Sequence, residues 1–185
     1  MTSFFTAVGL GLGAGINAYA TLLVFGLLSR WKPGMFPSEL AHFFSSTPVL
    51  IVVGVLYVIE FLADKVPAVD HAWDVIHTFI RPAAGALVGW AATSQDMPKG
   101  VVIIASIIAG GAALTTHTAK ASLRAASTAT TAGLANPVLS IVEDIFAFVN
   151  AILAILLPWI VVVVIVVVTI FFIGLSHRYR KRDAF

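Results

Sequence analysis

The chain is predicted to be all-α, a polytopic transmembrane bundle of about six spans. Three observations carry that expectation. Hydrophobic residues make up 59% of the 185 and charged residues only 11%, and the mean hydropathy is +1.01, a composition far from that of a water-soluble domain. The run Pro158 to Leu175, PWIVVVVIVVVTIFFIGL, is almost featureless, as a lipid-facing helix can be when every backbone group bonds within the segment. Finally, Val138 to Leu175 would extend roughly 57 Å as one helix at 1.5 Å per residue, nearly twice the hydrocarbon thickness, so it is expected to cross twice and turn near Pro158.

The elements follow in order. A first span is expected from about Phe4 to Leu28, broken by Gly9, Gly11, Gly13 and Gly15. A polar interval with Trp31 suits the membrane interface. A second span runs from Pro48 to about Leu62, with Glu60 near its end, and a third from Asp70 to Ala92, broken or kinked at Arg81-Pro82 because proline removes a donor and disfavours helix at the residue before it. The fourth begins near Val101 and grades into TTHTAKASLRAASTATTAG, and the fifth and sixth lie on either side of Pro158. No polar interval is long enough for a second core, so 1–185 is read as a single integral membrane domain, with possible halves 1–96 and 97–176. The MTSFFTAVGL start lacks the basic region of a secretory signal and is taken as part of the first span.

Arg178, Arg180, Lys181 and Arg182 form a basic tail, 177–185, expected in the cytoplasm. With six spans both termini are cytoplasmic. Lys65, Arg81, Lys120, Arg124 and the tail then lie inside, against Arg30, Lys32 and Lys99 outside, in keeping with the positive-inside rule, and the bacterial inner membrane is the expected location. There is no cysteine, which excludes disulfides, thiolate catalysis and thiolate-bound metal. Neither a cofactor nor nucleic-acid binding is expected.

Thr47-Pro48-Val49-Leu50 and Asn136-Pro137-Val138-Leu139 each place a capping residue and a proline before an apolar helix. Each follows a small-residue stretch, GAGINAYAT at 13–21 and GGAALTTHT at 110–118. Three spans per half would set the halves in opposite orientations, a 3+3 inverted repeat with broken helices such as many secondary transporters have. Chance self-matching in so biased a composition is an equal alternative.

Function is expected in LADKVPAVDHAWDVIHTFIRP, residues 62–82, where Asp64, Lys65, Asp70, His71, Asp74, His77 and Arg81 interrupt apolar sequence. Ionisable groups at membrane depth are costly, and a chain that keeps them tends to use them. On a helix Asp70, Asp74, His77 and Arg81 share one face. Asp74 and His77 suit the carriage of a proton, whereas the architectural alternative is pairing with Lys65, with Arg81 or with each other. Gly85 and Gly89 offer a close-packing face.

His117, Lys120, Arg124 and Ser127 share a second face, suited to an anion or a phosphate head group, or to serving as topology signals that pair with Glu143 and Asp144. Those two acids sit about 9 Å into an apolar span and need cations or protons. In the first span the GxxxG spacings suit close helix contact or a homo-oligomer. The alternative there is an unwound helix whose carbonyls, with Asn17, Thr115 and Thr116, bind a solute.

The motif at 62–82, GLGAGINAYATL near the start, Thr118 to Ser122 and NPVLSIVEDI resemble a family of small bacterial integral membrane proteins catalogued as a domain of unknown function. The resemblance covers almost the whole chain and implies a polytopic helical membrane protein, with no activity to carry over. The residues point first to a small transporter or channel for an ion or small solute, coupled to protons or cations, with membrane lipids as its surroundings. The alternatives are a lipid-binding or scaffold protein, and a metal-dependent enzyme acting on lipid phosphates through Asp64, Asp70, Asp74 and His77.

Overall fold

The computed structural model describes residues 2–95, 97–164 and 166–167; the side chains of Pro67, Ala68, Asp70 and His71 lie outside that description. Helices run in the order α1 (Thr2–Ile16), α2 (Ala18–Trp31), α3 (Glu39–Ser45), α4 (Thr47–Ala63), α5 (Pro67–Thr93), α6 (Lys99–Thr131) and α7 (Asn136–Leu156). Helix resumes over 158–164, and no strand occurs among the described residues. By length and composition α6 and α7 can each cross a membrane, and α3 with α4, bent by 63°, can form a third span.

Local chemistry sets the boundaries. Proline in the first turn opens α4, α5 and α7, where its missing N–H costs nothing. Ser38 caps α3 by accepting from the Ala41 N–H at 3.1 Å. α6 ends on Ala132 (φ 52°) and Gly133 (φ 82°), a left-handed exit that turns the chain into α7. Leu157, at φ −136° and ψ 60° ahead of Pro158, interrupts the helix where a turn is expected from the sequence. Neither Thr47 nor Asn136 acts as a cap. Each is already the first helical residue, and α4 and α7 begin without a side-chain cap bond.

The stretch expected as one span from Phe4 to Leu28 is a helical hairpin. Its break falls at Asn17 and not at the glycines, and the two arms double back on each other. A β-carbon on Gly13 would lie 2.9 Å from the Thr21 hydroxyl, whereas eight residues of continuous helix would separate the two positions by about 12 Å. Asn17 makes the reversal with no loop: its backbone is extended (φ −145°, ψ 108°) and its side-chain oxygen caps α2 through the Ala20 N–H at 2.8 Å. Both arms therefore open at the same end of the bundle, where Arg30 donates to Thr47 at 3.0 Å and Phe5 meets Trp159. The first stretch is thus two short apolar helices and not one continuous helix of span length.

The four glycines are consumed inside the chain. Gly9 and Gly13 face Ala154 and Asn150 of α7, while Gly11 and Gly15 face the backbone of Ala109 and Ala113 in α6, where an added β-carbon would lie 2.3 and 2.1 Å from a carbonyl oxygen. The two GxxxG ridges seat α1 between α6 and α7, so these faces are not free for a second copy. α5 lies antiparallel on α6 through Gly85, Gly89 and Gly110. It also continues as helix through Pro82, so of the expected kink or break the break does not occur. The counterpart stretch 110–118 lies within the uninterrupted α6 and is not broken as 13–21 is at Asn17.

Candidate functional site

The hairpin tip, the C-terminal end of α4, the N-terminal half of α5, the C-terminal half of α6 and the first turns of α7 converge on a buried network of charges. Arg81 and Arg124 are the largest fully enclosed side chains among the described residues, both 0% exposed. Buried charge is tolerable only with partners, and each arginine has them.

Arg81 is the centre of one half. Its Nη2 donates to Glu60 Oε1 at 2.8 Å, and its Nη1 donates to the Gly15 carbonyl at 3.3 Å and to His117 Nδ1 at 2.7 Å. Asp74 stands further off at 3.9 Å. A guanidinium can only donate, so His117 Nδ1 is the acceptor and the ring is the neutral Nε2–H tautomer. That Nε2–H then donates to Thr78 Oγ1 at 3.1 Å, and the Thr78 hydroxyl donates to the Asp74 carbonyl. His77 is fully buried, with Nε2 3.8 Å from Glu60 Oε1 and ring contacts to Tyr19 and Trp73. Neither of its nitrogens has a hydrogen-bond partner, nor does Glu60 Oε2.

The other half is built on Asp64. Its Oδ2 accepts from Arg124 at 2.8 Å and from Lys120 at 3.3 Å. Glu143 Oε2 accepts from Arg124 Nε at 3.1 Å and lies 3.4 Å from Lys120 Nζ. Lys120 also donates to the Ile16 carbonyl at 3.0 Å, and Asn17 donates to Asp144 Oδ1 at 2.8 Å. The last turn of α1, whose carbonyls have no helical partner beyond Asn17, thus ends on two cations, the charge its dipole favours.

Most residues picked out from the sequence are brought together here: Asn17, Asp64, Asp74, His77, Arg81, His117, Lys120, Arg124, Glu143 and Asp144. The side chain of Asp70, like the tail residues Arg178, Arg180, Lys181 and Arg182, lies outside the described residues. Two expected pairings differ, those of Lys65 and Asp144. Lys65 leaves the acids and bonds the Phe61 carbonyl at 2.8 Å, its ammonium 3.1 Å from that ring's centre. Asp144 takes Asn17 as a hydrogen-bond donor, and Thr116, not Thr115, reaches α1, at the Leu12 carbonyl. Arg81, Lys120 and Arg124 are buried ion-pair partners, and the expected pairing of Lys120 and Arg124 with Glu143 is present.

Glu60 was missed as a site residue. Its signal was in plain view, a lone carboxylate in VGVLYVIEFLAD one helical turn before Asp64. Among the described residues, no three His, Asp or Glu side chains converge as a metal site requires.

The fold and site define an all-helical, highly apolar bundle built around enclosed ion pairs. The chain belongs to the family described as domain of unknown function DUF4126, whose model matches residues 4–178. No curated protein and no solved structure matches it.

Proposed function

We propose that the protein is a small membrane transporter or channel for an ion or small solute, with protons or cations coupled through the buried acids. The observation that carries this is the attachment of the charge network to the broken helix: Arg81 and Lys120 hold the Gly15 and Ile16 carbonyls at the hairpin tip while also holding Glu60, Asp64 and Glu143. A change in charge on those acids alters the grip on the tip. Glu60, Asp64, Asp74 and Glu143 pair with the three cations Arg81, Lys120 and Arg124, while Asp144 is held by the Asn17 amide, and bound protons or cations would fill the difference.

In this reading α4 to α7 cross the bilayer, as does the apolar sequence from Pro158 to Leu175, whose second half lies outside the described residues, and α1 with α2 is re-entrant. The turns after α4 and α6 face the cytoplasm with Lys65 and the basic tail, while the amino terminus lies on the opposite side. This replaces the six-span topology with both termini inside. α4 and α7, which open on the matching TPVL and NPVL, run in opposite directions, as an inverted repeat asks. The absence of cysteine makes the topology easy to test. Thr2→Cys and Gly34→Cys should label from the same side of sealed vesicles and Lys65→Cys from the other; labelling of Thr2→Cys from the Lys65 side would restore six crossings.

The activity is tested by charge movement in proteoliposomes on a solid-supported membrane, with steps of pH and of a panel of ions and small solutes. Glu60→Gln keeps the shape and removes the charge, so it should abolish the current while the protein still elutes as a folded species. Parental currents from a folded Glu60→Gln protein would remove the coupling role.

A further inference from the structure

The two halves of the buried network are not equally balanced. Around Asp64, the carboxylates of Asp64 and Glu143 face two cations, Lys120 and Arg124. Around Arg81, Glu60 at 2.8 Å and Asp74 at 3.9 Å share a single guanidinium. His117 adds no charge there, since its Nδ1 accepts from Arg81. The Arg81 half is therefore one positive charge short, and enclosed charge needs compensation.

His77 stands where that charge is missing. It is as fully enclosed as Glu60, and its Nε2 lies 3.8 Å from Glu60 Oε1, close but too far for a hydrogen bond. Both of its ring nitrogens and Glu60 Oε2 are buried without a partner. The pair is faced by Tyr19 from α2 and by Trp73, Asp74 and Arg81 from α5, while Asp64 from α4 and His117 and Lys120 from α6 act on it at longer range. A metal cation would need a shell of oxygens, and what stands here is two rings and a guanidinium. A proton needs one acceptor only.

We infer that Glu60 and His77 are a binding site for one proton, shared between the carboxylate and the imidazole. Without it, a neutral imidazole and a carboxylate carry one negative charge between them; with it they carry none, whether the proton rests on the ring or on the acid. In either form an N–H or O–H stands between the two groups, and a shift of about 1 Å closes the gap to a hydrogen bond. Arg81 holds the same Oε1, so proton binding weakens its bond to Glu60 and, through the one guanidinium, resets its hold on the Gly15 carbonyl at the hairpin tip. The route in is Asp74, on the same face of α5 one turn before His77, with a side chain 16% exposed. The inference deepens the transport reading by making its coupled ion a proton. It rests on that reading for the coupling alone, because the site can be tested without transport.

The test is a pH titration by nuclear magnetic resonance of the full-length protein in lipid bilayers, with isotopic labels in the histidine rings and the glutamate carboxyl carbons. The chain has five histidines, and its glutamates are Glu39, Glu60 and Glu143, so the signals are few. One histidine and one glutamate should titrate with a common midpoint. Glu60→Gln should remove that carboxyl signal and lower the ring's midpoint by about one pH unit or more, and His77→Gln should move the carboxyl's midpoint by about as much. Both variants are checked for folding by size-exclusion elution. The absence of a common midpoint in the unmodified protein, or midpoints that stay in place in both folded variants, would overturn the site. The unmodified protein decides the matter even if neither variant folds. A common midpoint in a protein that passes no current would keep the proton site and remove the transport reading, whereas a pH-driven current without a common midpoint would do the reverse.

Discussion

The two ends of the bundle are held together by different forces. At the end where the α2–α3 and α5–α6 connections lie, Leu10, Val24, Phe25, Phe36, Phe44, Val88, Ala91 and Ala154 form an apolar core, its rings packed at 5.0 Å between Phe25 and Phe36. At the other, Arg81, Lys120 and Arg124 tie five elements together by directed, charge-assisted bonds. Dispersion is tolerant of small shifts and indifferent to charge, whereas a guanidinium shared by a carboxylate, an imidazole and a carbonyl permits few arrangements. The apolar end is suited to anchoring, and the charged end to changing state.

That contrast can be broken. Arg81→Ala should have the largest effect, about 3–5 kcal/mol of lost stability, because it strands Glu60 in an enclosed site and frees the hairpin tip; thermal unfolding in detergent measures it, and near-parental stability would mean the network is not what holds this end. Leu10→Ala at the apolar end should cost about 3 kcal/mol through the cavity it leaves. The informative readout there is current per folded molecule, which should remain parental, and a loss would show that the anchoring end also takes part in function. Thr78→Val should be mildest, about 1 kcal/mol, since it removes the hydroxyl partner of His117 while keeping the volume. If it instead matches Arg81→Ala, the histidine and not the arginine organises the site.

Much of this contrast was legible beforehand. The helices that begin at Pro48 and Pro137 and the turn before Pro158 are local events, written in proline's missing donor and fixed φ. The shared faces of Asp74, His77 and Arg81 and of His117, Lys120 and Arg124 followed from helical periodicity alone. What could not be read was direction in space. The hairpin at Asn17 looks like a continuous span because both arms are equally apolar, and only the approach of Gly13 to Thr21 exposes the reversal. Pairing was hidden for a similar reason: Lys65 is one residue from Asp64 in sequence, yet it turns to the Phe61 ring while Lys120 and Arg124, from another helix, take the acid.

The hairpin also imposes an order on biogenesis. Its arms are roughly 22 Å long, too short for either to be handed to the bilayer as a span of its own, and the partner of Asn17 is Asp144, 127 residues further along the chain. At ribosomal speeds of about 5–20 residues per second, the tip must wait on the order of ten seconds before α6 and α7 exist to receive it. α1 and α2 are therefore made well before the helices that receive them, and the nascent protein has to shelter an undocked, asparagine-tipped loop until α6 and α7 arrive.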